Sequence, residues 1–257
     1  MRLGPLIFGT RADIMARHAE AGHVRGELAP FLRTTQIETR TAPASTALLS
    51  ESQRRQLAKL ATRVSMPTRT IVFREDSPLE FIFLASEGVL KAFREMPSGK
   101  RRVAAFLFPG DLFGLSDDGR YVNTVQSVTA ATIYRIPTEA LTEMLLRDPE
   151  LQFHFLTKVT HALRQGQRHA IVLARRDAAG RMAMFLHMLE KDLGGARSGG
   201  IPLPMSRTDV AEYLGLSLES VSRATSALSR RGIVTFEGGH LAHVIDRSRF
   251  EKLVAAL

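Results

Sequence analysis

The 257-residue chain is 44% hydrophobic and 24% charged, which suits a globular protein of about two ordinary domains and excludes a wholly disordered or fibrous one. It has no cysteine, so a disulfide framework, a Cys-ligated zinc or iron–sulfur site and a thiol nucleophile are all excluded. Thirty-five Lys and Arg against 26 Asp and Glu give a net charge of +9, which calls for a polyanionic partner, nucleic acid ahead of an anionic membrane face.

The first 45 residues hold neither helix nor strand period for long and read as a weakly structured extension. Their short apolar run, Met1 to Thr10, is too brief for a secretory signal, and no window offers the roughly 18 apolar residues of a membrane span. A cytoplasmic location with no membrane partner is expected. Ser50-Glu51-Ser52-Gln53 opens a short amphipathic helix, with Ser50 as cap, Gln53 at the capping-box position, and Leu57, Leu60 and Val64 on its apolar face. From Thr70 the period changes to that of strands. Ile71–Phe73, Phe81–Leu84, Val89–Phe93, Val103–Phe108 and the stretch from Val125 to Ile136 are separated by turn chemistry such as Glu75-Asp76-Ser77-Pro78 and Pro109-Gly110-Asp111. Short strands without intervening helices predict an antiparallel β-roll, of sandwich or jelly-roll type, over residues 46–147.

After Pro137 the pattern turns helical. Asp148 caps a helix with Pro149 at its first position. Along it Phe155, Val159, Ala162, Gly166, His169 and Leu173 recur at alternating spacings of four and three, the seam of a coiled coil. A dimerisation helix over 148–177 is predicted, with Gly166 letting two backbones approach.

Residues 178–257 carry the sharpest motif. Ser206 caps a helix with Asp209 three residues on, Gly215 permits a left-handed turn, and Ser217 caps a second helix, which together make a helix-turn-helix. On the second helix Val221, Thr225 and Leu228 form a core stripe, while Glu219, Ser222, Arg223 and Ser226 form a polar one. Arg can donate two bonds to guanine, Glu can accept from the cytosine amino group, and Ser can serve either kind of base edge. The plain alternative is a solvated face with a Glu219–Arg223 ion pair. The capped helix and turn before it argue for base reading, with Ser206, Arg207, Ser217 and Ser220 on the DNA backbone. Gly238-Gly239 then supports a hairpin between two short strands, which completes a winged helix.

Residues 205–240 resemble the DNA-binding half of the CRP/FNR transcription regulators, and Glu219, Ser222 and Arg223 match the Glu-x-x-Ser-Arg recognition helix of the FNR and FixK branch. Upstream, Gly88-Val89-Leu90-Lys91, Ser98-Gly99-Lys100-Arg101 and Phe106 to Leu115 look like that family's β-roll. The resemblance spans about residues 48–257. It implies an α+β architecture of β-roll, dimer helix and winged helix, and a homodimer on a TTGAT/ATCAA palindrome. Arg223 would meet the guanine, Glu219 the cytosine amino group and Ser222 a thymine, and RNA polymerase would be the further partner of an activator.

The departures bear on effectors. Leu115 stands where cyclic-nucleotide-binding relatives carry an acid, and Val122-Asn123-Thr124 supplies no Arg-Ser or Arg-Thr pair, which leaves Arg120 as the nearest cation. cAMP is therefore not expected, and the lack of cysteine closes the iron–sulfur route. No cofactor is predicted. No histidine lies between residues 24 and 153, so a cupin-type metal enzyme is set aside. His154 and His161 read as solvated or interface residues, with haem ligation the alternative. A small-molecule-binding module centred on the β-roll is the other functional reading.

Overall fold

The computed structural model describes residues 51–193 and 199–255. The expected extension over 1–45 and the cap at Ser50 lie outside them. Helix α1 (Glu51–Leu60) ends earlier than its apolar pattern predicts. Val64 lies on strand β1 (Thr62–Met66), paired with Ile133, and not on the helix. Gln53 is buried, and its amide donates to the Asp148 carboxylate at 3.1 Å, so its bond runs to a distant helix start.

Seven further strands follow, interrupted only by turns: β2 (Ile71–Phe73), β3 (Phe81–Glu87), β4 (Leu90–Glu95), β5 (Arg101–Leu107), β6 (Leu112–Phe113), β7 (Thr124–Ser127) and β8 (Ala131–Pro137). The single run expected from Val125 to Ile136 is thus two strands, broken at Val128-Thr129-Ala130. They form two antiparallel four-stranded sheets, ordered β1-β8-β3-β6 and β2-β7-β4-β5, as a jelly-roll. Between them Phe83, Leu90, Leu107, Phe113, Tyr121, Val125 and Ile133 make a closed core. Gly88 at φ +80° closes the turn into β4, where a Cβ would stand 2.2 Å from the Ala130 carbonyl oxygen.

Helices α2 (Thr138–Arg147), α3 (Pro149–Ala174) and α4 (Ala178–Asp192) lead out of the roll. Asp148 caps α3 as expected, its side chain accepting from the Leu151 amide at 2.9 Å. The remaining elements are β9 (Ile201–Pro202), α5 (Arg207–Leu214), α6 (Leu218–Arg230), β10 (Val234–Glu237), β11 (Leu241–Val244) and α7 (Arg247–Ala255), with β10-β11-β9 as the wing sheet. Among the described residues no helix is long and apolar enough to cross a membrane.

Strand β4 is buried on both faces. Leu90 and Ala92 point into the roll, whereas Val89 and Phe93, on the opposite face, join one core with Phe106, Phe185, Leu186, Tyr213, Leu214 and Leu228. The outer face of the sheet is therefore covered by the winged helix.

Candidate nucleic-acid interface

Local chemistry sets the two helices of the reading unit. The Asp209 amide donates to Ser206 Oγ at 3.1 Å and the Ser206 amide donates to Asp209 Oδ2 at 3.3 Å, a reciprocal capping box at the start of α5. Gly215 ends that helix at φ +64°, a conformation costly to any residue with a Cβ. Ser217 then caps α6 by accepting from the Ser220 amide at 3.1 Å. Val221, Ala224 and Leu228 are buried beneath α6, while Glu219, Ser222, Arg223 and Ser226 are exposed on its other face. The start of α6 thus presents short polar side chains on a rigidly seated backbone.

Arg223 bonds Glu219 across one turn, and both side chains are about three-quarters exposed. Such a surface pair is worth about 0.3–0.5 kcal/mol, against about 1–3 kcal/mol for a bidentate base contact, so it orients the guanidinium without competing seriously with a base. Ser206 and Arg207 are exposed at the start of α5. The Arg207 guanidinium reaches the wing, 3.5 Å from where a Cβ on Gly239 would stand. Ser220 is half-buried, its hydroxyl 2.9 Å from that of Ser217.

One group absent from the sequence expectations joins the reading unit to the roll. Lys91 of β4 and Asp209 of α5 are both buried and form an ion pair. Burial pushes Asp209 up, but the Lys91 ammonium and the Ser206 hydroxyl outweigh it and hold the carboxyl below the usual range. One turn on, Arg101 Nε lies 3.6 Å from Glu212 Oε1, and Phe106 meets Tyr213 at 5.1 Å between ring centroids. A lone Lys inside the apolar run Val89 to Phe93 was the available signal.

Of the expected seam of the long helix, Val159, Ala162, Gly166 and Leu173 are exposed, while Phe155 and His169 are half-buried. Phe155 packs on the apolar cluster of Ile82, Ile136 and Leu141 of its own chain, and His169 stacks on Tyr213. Ala162, Gly166 and His169 line a cavity of about 140 Å³ between β5, α3, α4 and α5. Val159 and Leu173 are exposed at 36% and 40%, but the most exposed apolar residues of the stripe are Phe153, Leu156 and Leu163 at 67%, 59% and 62%. A second exposed apolar stripe therefore lies beside the expected seam on the same helix. The two ring nitrogens of His154 are buried without a hydrogen-bond partner, whereas His161 is exposed near Gln165, so the two imidazoles have different surroundings.

Two family models match, a Crp-like helix-turn-helix domain over residues 180–253 and a cyclic nucleotide-binding domain over 63–148. The nitrogen fixation regulation protein FixK of Bradyrhizobium diazoefficiens is 30% identical over 210 residues, covering 81% of this chain and 88% of that protein. The transcriptional activatory protein AadR of Rhodopseudomonas palustris is 27% identical, covering 86% and 94%. The solved structure of FixK2 from Bradyrhizobium japonicum is similar with a TM-score of 0.71 at 30% identity, covering 77% of this chain and 98% of that one.

The residues of the roll do not fit a cyclic nucleotide. Phe73 stacks on Tyr121 at 3.8 Å and Phe83 on Phe113 at 5.2 Å, which fills the interior with rings. Leu115 packs with Leu112 and Ile82 in an apolar cluster, and Arg120 is exposed, donating to the Asp76 carbonyl oxygen. Capped helix-turn-helix, wing and jelly-roll together agree with the relatives: the chain belongs to the CRP/FNR family of DNA-binding transcription regulators, in its FixK-like branch.

Proposed function

We propose that the chain acts as a homodimer that reads a palindrome of the TTGAT and ATCAA kind, one half-site per protomer. Arg223 donates to guanine, Glu219 accepts from the cytosine amino group, and Ser222 meets a thymine. Ser206, Arg207, Ser217 and Ser220 hold phosphates. The observation that carries this reading is the exposed Glu219–Ser222–Arg223 stripe at the start of a capped, well-seated α6. The net charge of +9 supplies the sequence-independent attraction.

Pairing of protomers is assigned to α3. Phe153, Leu156, Thr160, Leu163, Gln167 and Ala170 recur at the spacing of a coiled-coil seam, and Phe153, Leu156 and Leu163 are apolar and well exposed. The activator role carried in the name of one relative supports RNA polymerase as a further partner. The filled roll favours this reading over a small-molecule-binding module.

Fluorescence anisotropy with the palindrome and with base-substituted half-sites tests the proposal. Tight binding that collapses on changing the guanine is expected. Equal affinity for scrambled DNA at the same salt concentration overturns it.

A further inference from the structure

Lys91 is 7% exposed in the middle of the sheet β2-β7-β4-β5, between β7 and β5, and its ammonium reaches across 118 residues of sequence to Asp209, itself 8% exposed. A buried ion pair seldom adds net stability over an apolar pair of the same size, yet breaking it strands a buried charge. Such a pair therefore specifies one arrangement more than it strengthens it. Here it specifies how α5 docks on the roll. Asp209, Glu212 and Tyr213 fall at i, i+3 and i+4 on the side of α5 that meets the sheet, where they engage Lys91, Arg101 and Phe106. The ring of Phe93 lies beneath both cations, 5.5 Å from Lys91 Nζ and 5.6 Å from the Arg101 guanidinium carbon.

This docking leaves the reading face open: Ser206, Arg207, Glu219, Ser222 and Arg223 are all exposed. The clasp therefore does not mask α6. What it fixes is the direction in which α6 is presented, because α5 and α6 share one core. In a dimer paired through α3, that direction sets the distance and rotation between the two recognition helices. One base pair of extra spacer moves a half-site by about 3.4 Å along the DNA and about 35° around it, which a rigid pair of helices cannot follow.

We propose that Lys91 is a positioning residue that sets the half-site spacing accepted by the dimer, a role that rests on the dimeric reading above. The roll then serves as a fixed bracket for the winged helix.

Two measurements test this on the full chain. In the first, wild type and Lys91→Met are titrated with palindromes of the preferred spacer and of spacers one base pair shorter or longer. The wild type should lose about tenfold or more on either change, whereas Lys91→Met should lose about threefold or less. The penalty for changing the guanine should stay the same in both, whereas a general loss of stability would scale every affinity alike and leave the spacer penalty unchanged as well. The second measurement needs no DNA. Because the chain has no cysteine, Ser98→Cys and Ser229→Cys place spin labels on the β4–β5 turn and on α6, with labelled chains diluted into unlabelled ones. A single narrow distance should broaden in Lys91→Met. Glu212→Gln, which releases Arg101 without stranding a buried Asp209, should broaden it less and serves as the second variant should Lys91→Met fold poorly.

Unchanged label distances in both variants with the spacing preference intact overturn the clasp and leave the dimeric reading standing. Labels that respond while the wild type shows no preference for any spacing overturn the dimeric reading itself, and the spacing role with it.

Discussion

The imidazole of His169 lies flat on the ring of Tyr213, with centroids 3.9 Å apart and planes within 5°, and its Nε2 lies 2.7 Å from the Tyr213 carbonyl oxygen. This one contact ties the long helix to the end of the first helix of the reading unit. With its proton on Nε2, the ring donates to that carbonyl while neutral. Burial holds its pKa below the ordinary 6.5, against the backbone bonds that favour the charged form. The unfolded chain therefore binds more protons below about pH 6.5, so stability is present above that pH and is lost as pH falls through it. His187, lowered by burial as well, acts with the same sign. His169→Phe keeps the stack and loses the bond, so it should be about 1 kcal/mol less stable than wild type near pH 8. The gap should close on acidification below about pH 6. Urea midpoints across that range check it, and a widening gap would contradict a buried neutral ring.

Asp192 works in the opposite sense. Its carboxyl lines the cavity beside His169 and is pushed up to about 6, first by burial and then by the Asp111 carboxylate. The native chain takes up this proton from about pH 6 downward and the unfolded chain only near 3.8, so this group contributes stability as pH falls through that window and a penalty above it. Asp192→Asn should therefore raise the melting temperature at neutral pH and flatten the acid side of the profile. A variant less stable than wild type at neutral pH would show that Asp192 holds a charge partner the protein needs.

The proposed dimer face makes a sharp pair of substitutions. Leu163→Glu places like charges across the exposed stripe of α3 and should shift sedimentation from dimer to monomer, with operator affinity falling in parallel. Phe155→Ala should leave the dimer intact. Its ring is half-buried against the roll, so the cost should be in folding stability, about 1–2 kcal/mol. The reverse result, a monomer from Phe155→Ala and a dimer from Leu163→Glu, would favour the expected seam through Phe155, Val159 and Ala162.

These contrasts show where the sequence is legible. The caps at Asp148, Ser206 and Ser217 and the left-handed Gly215 were readable because each satisfies a local rule within four residues of chain. The surroundings of Phe155 and His169 on α3 were not, because the helix carries apolar side chains on two faces, and heptad spacing alone cannot say which of them the chain's own roll covers. Phe155 and His169 find partners in Ile136 and Tyr213, which are remote in sequence. Val64 was lost to a one-residue gap: Ala61 separates α1 from β1, too short an interval for a period to change visibly. Lys91 is the instructive miss. A strand apolar on both faces must be covered on both, so a Lys within it implies a buried carboxylate, but nothing local names Asp209 as the partner.

The two arginines at the reading unit should separate base reading from positioning. Arg223 projects from the exposed stripe of α6 with its guanidinium held by Glu219, and the proposed reading gives it a bidentate contact with guanine. Arg223→Ala should cost about 1–3 kcal/mol per half-site on the palindrome and flatten discrimination at that base pair. Glu219 loses its ion-pair partner in that variant, which changes the free protein by only about 0.5 kcal/mol and so cannot account for a loss of that size. Arg207 lies at the start of α5 beside the wing turn at Gly239, and the proposed reading gives it a phosphate contact. Arg207→Ala should weaken all sequences alike and reduce the slope of log affinity against log salt by about 1 per half-site, with base preference intact. Competition with base-substituted operators at two or more salt concentrations measures both quantities at once. If Arg223→Ala lost affinity while keeping its preference for the guanine, and Arg207→Ala relaxed that preference, α6 would lie in the groove in another orientation, with the start of α5 nearer the bases than the middle of α6.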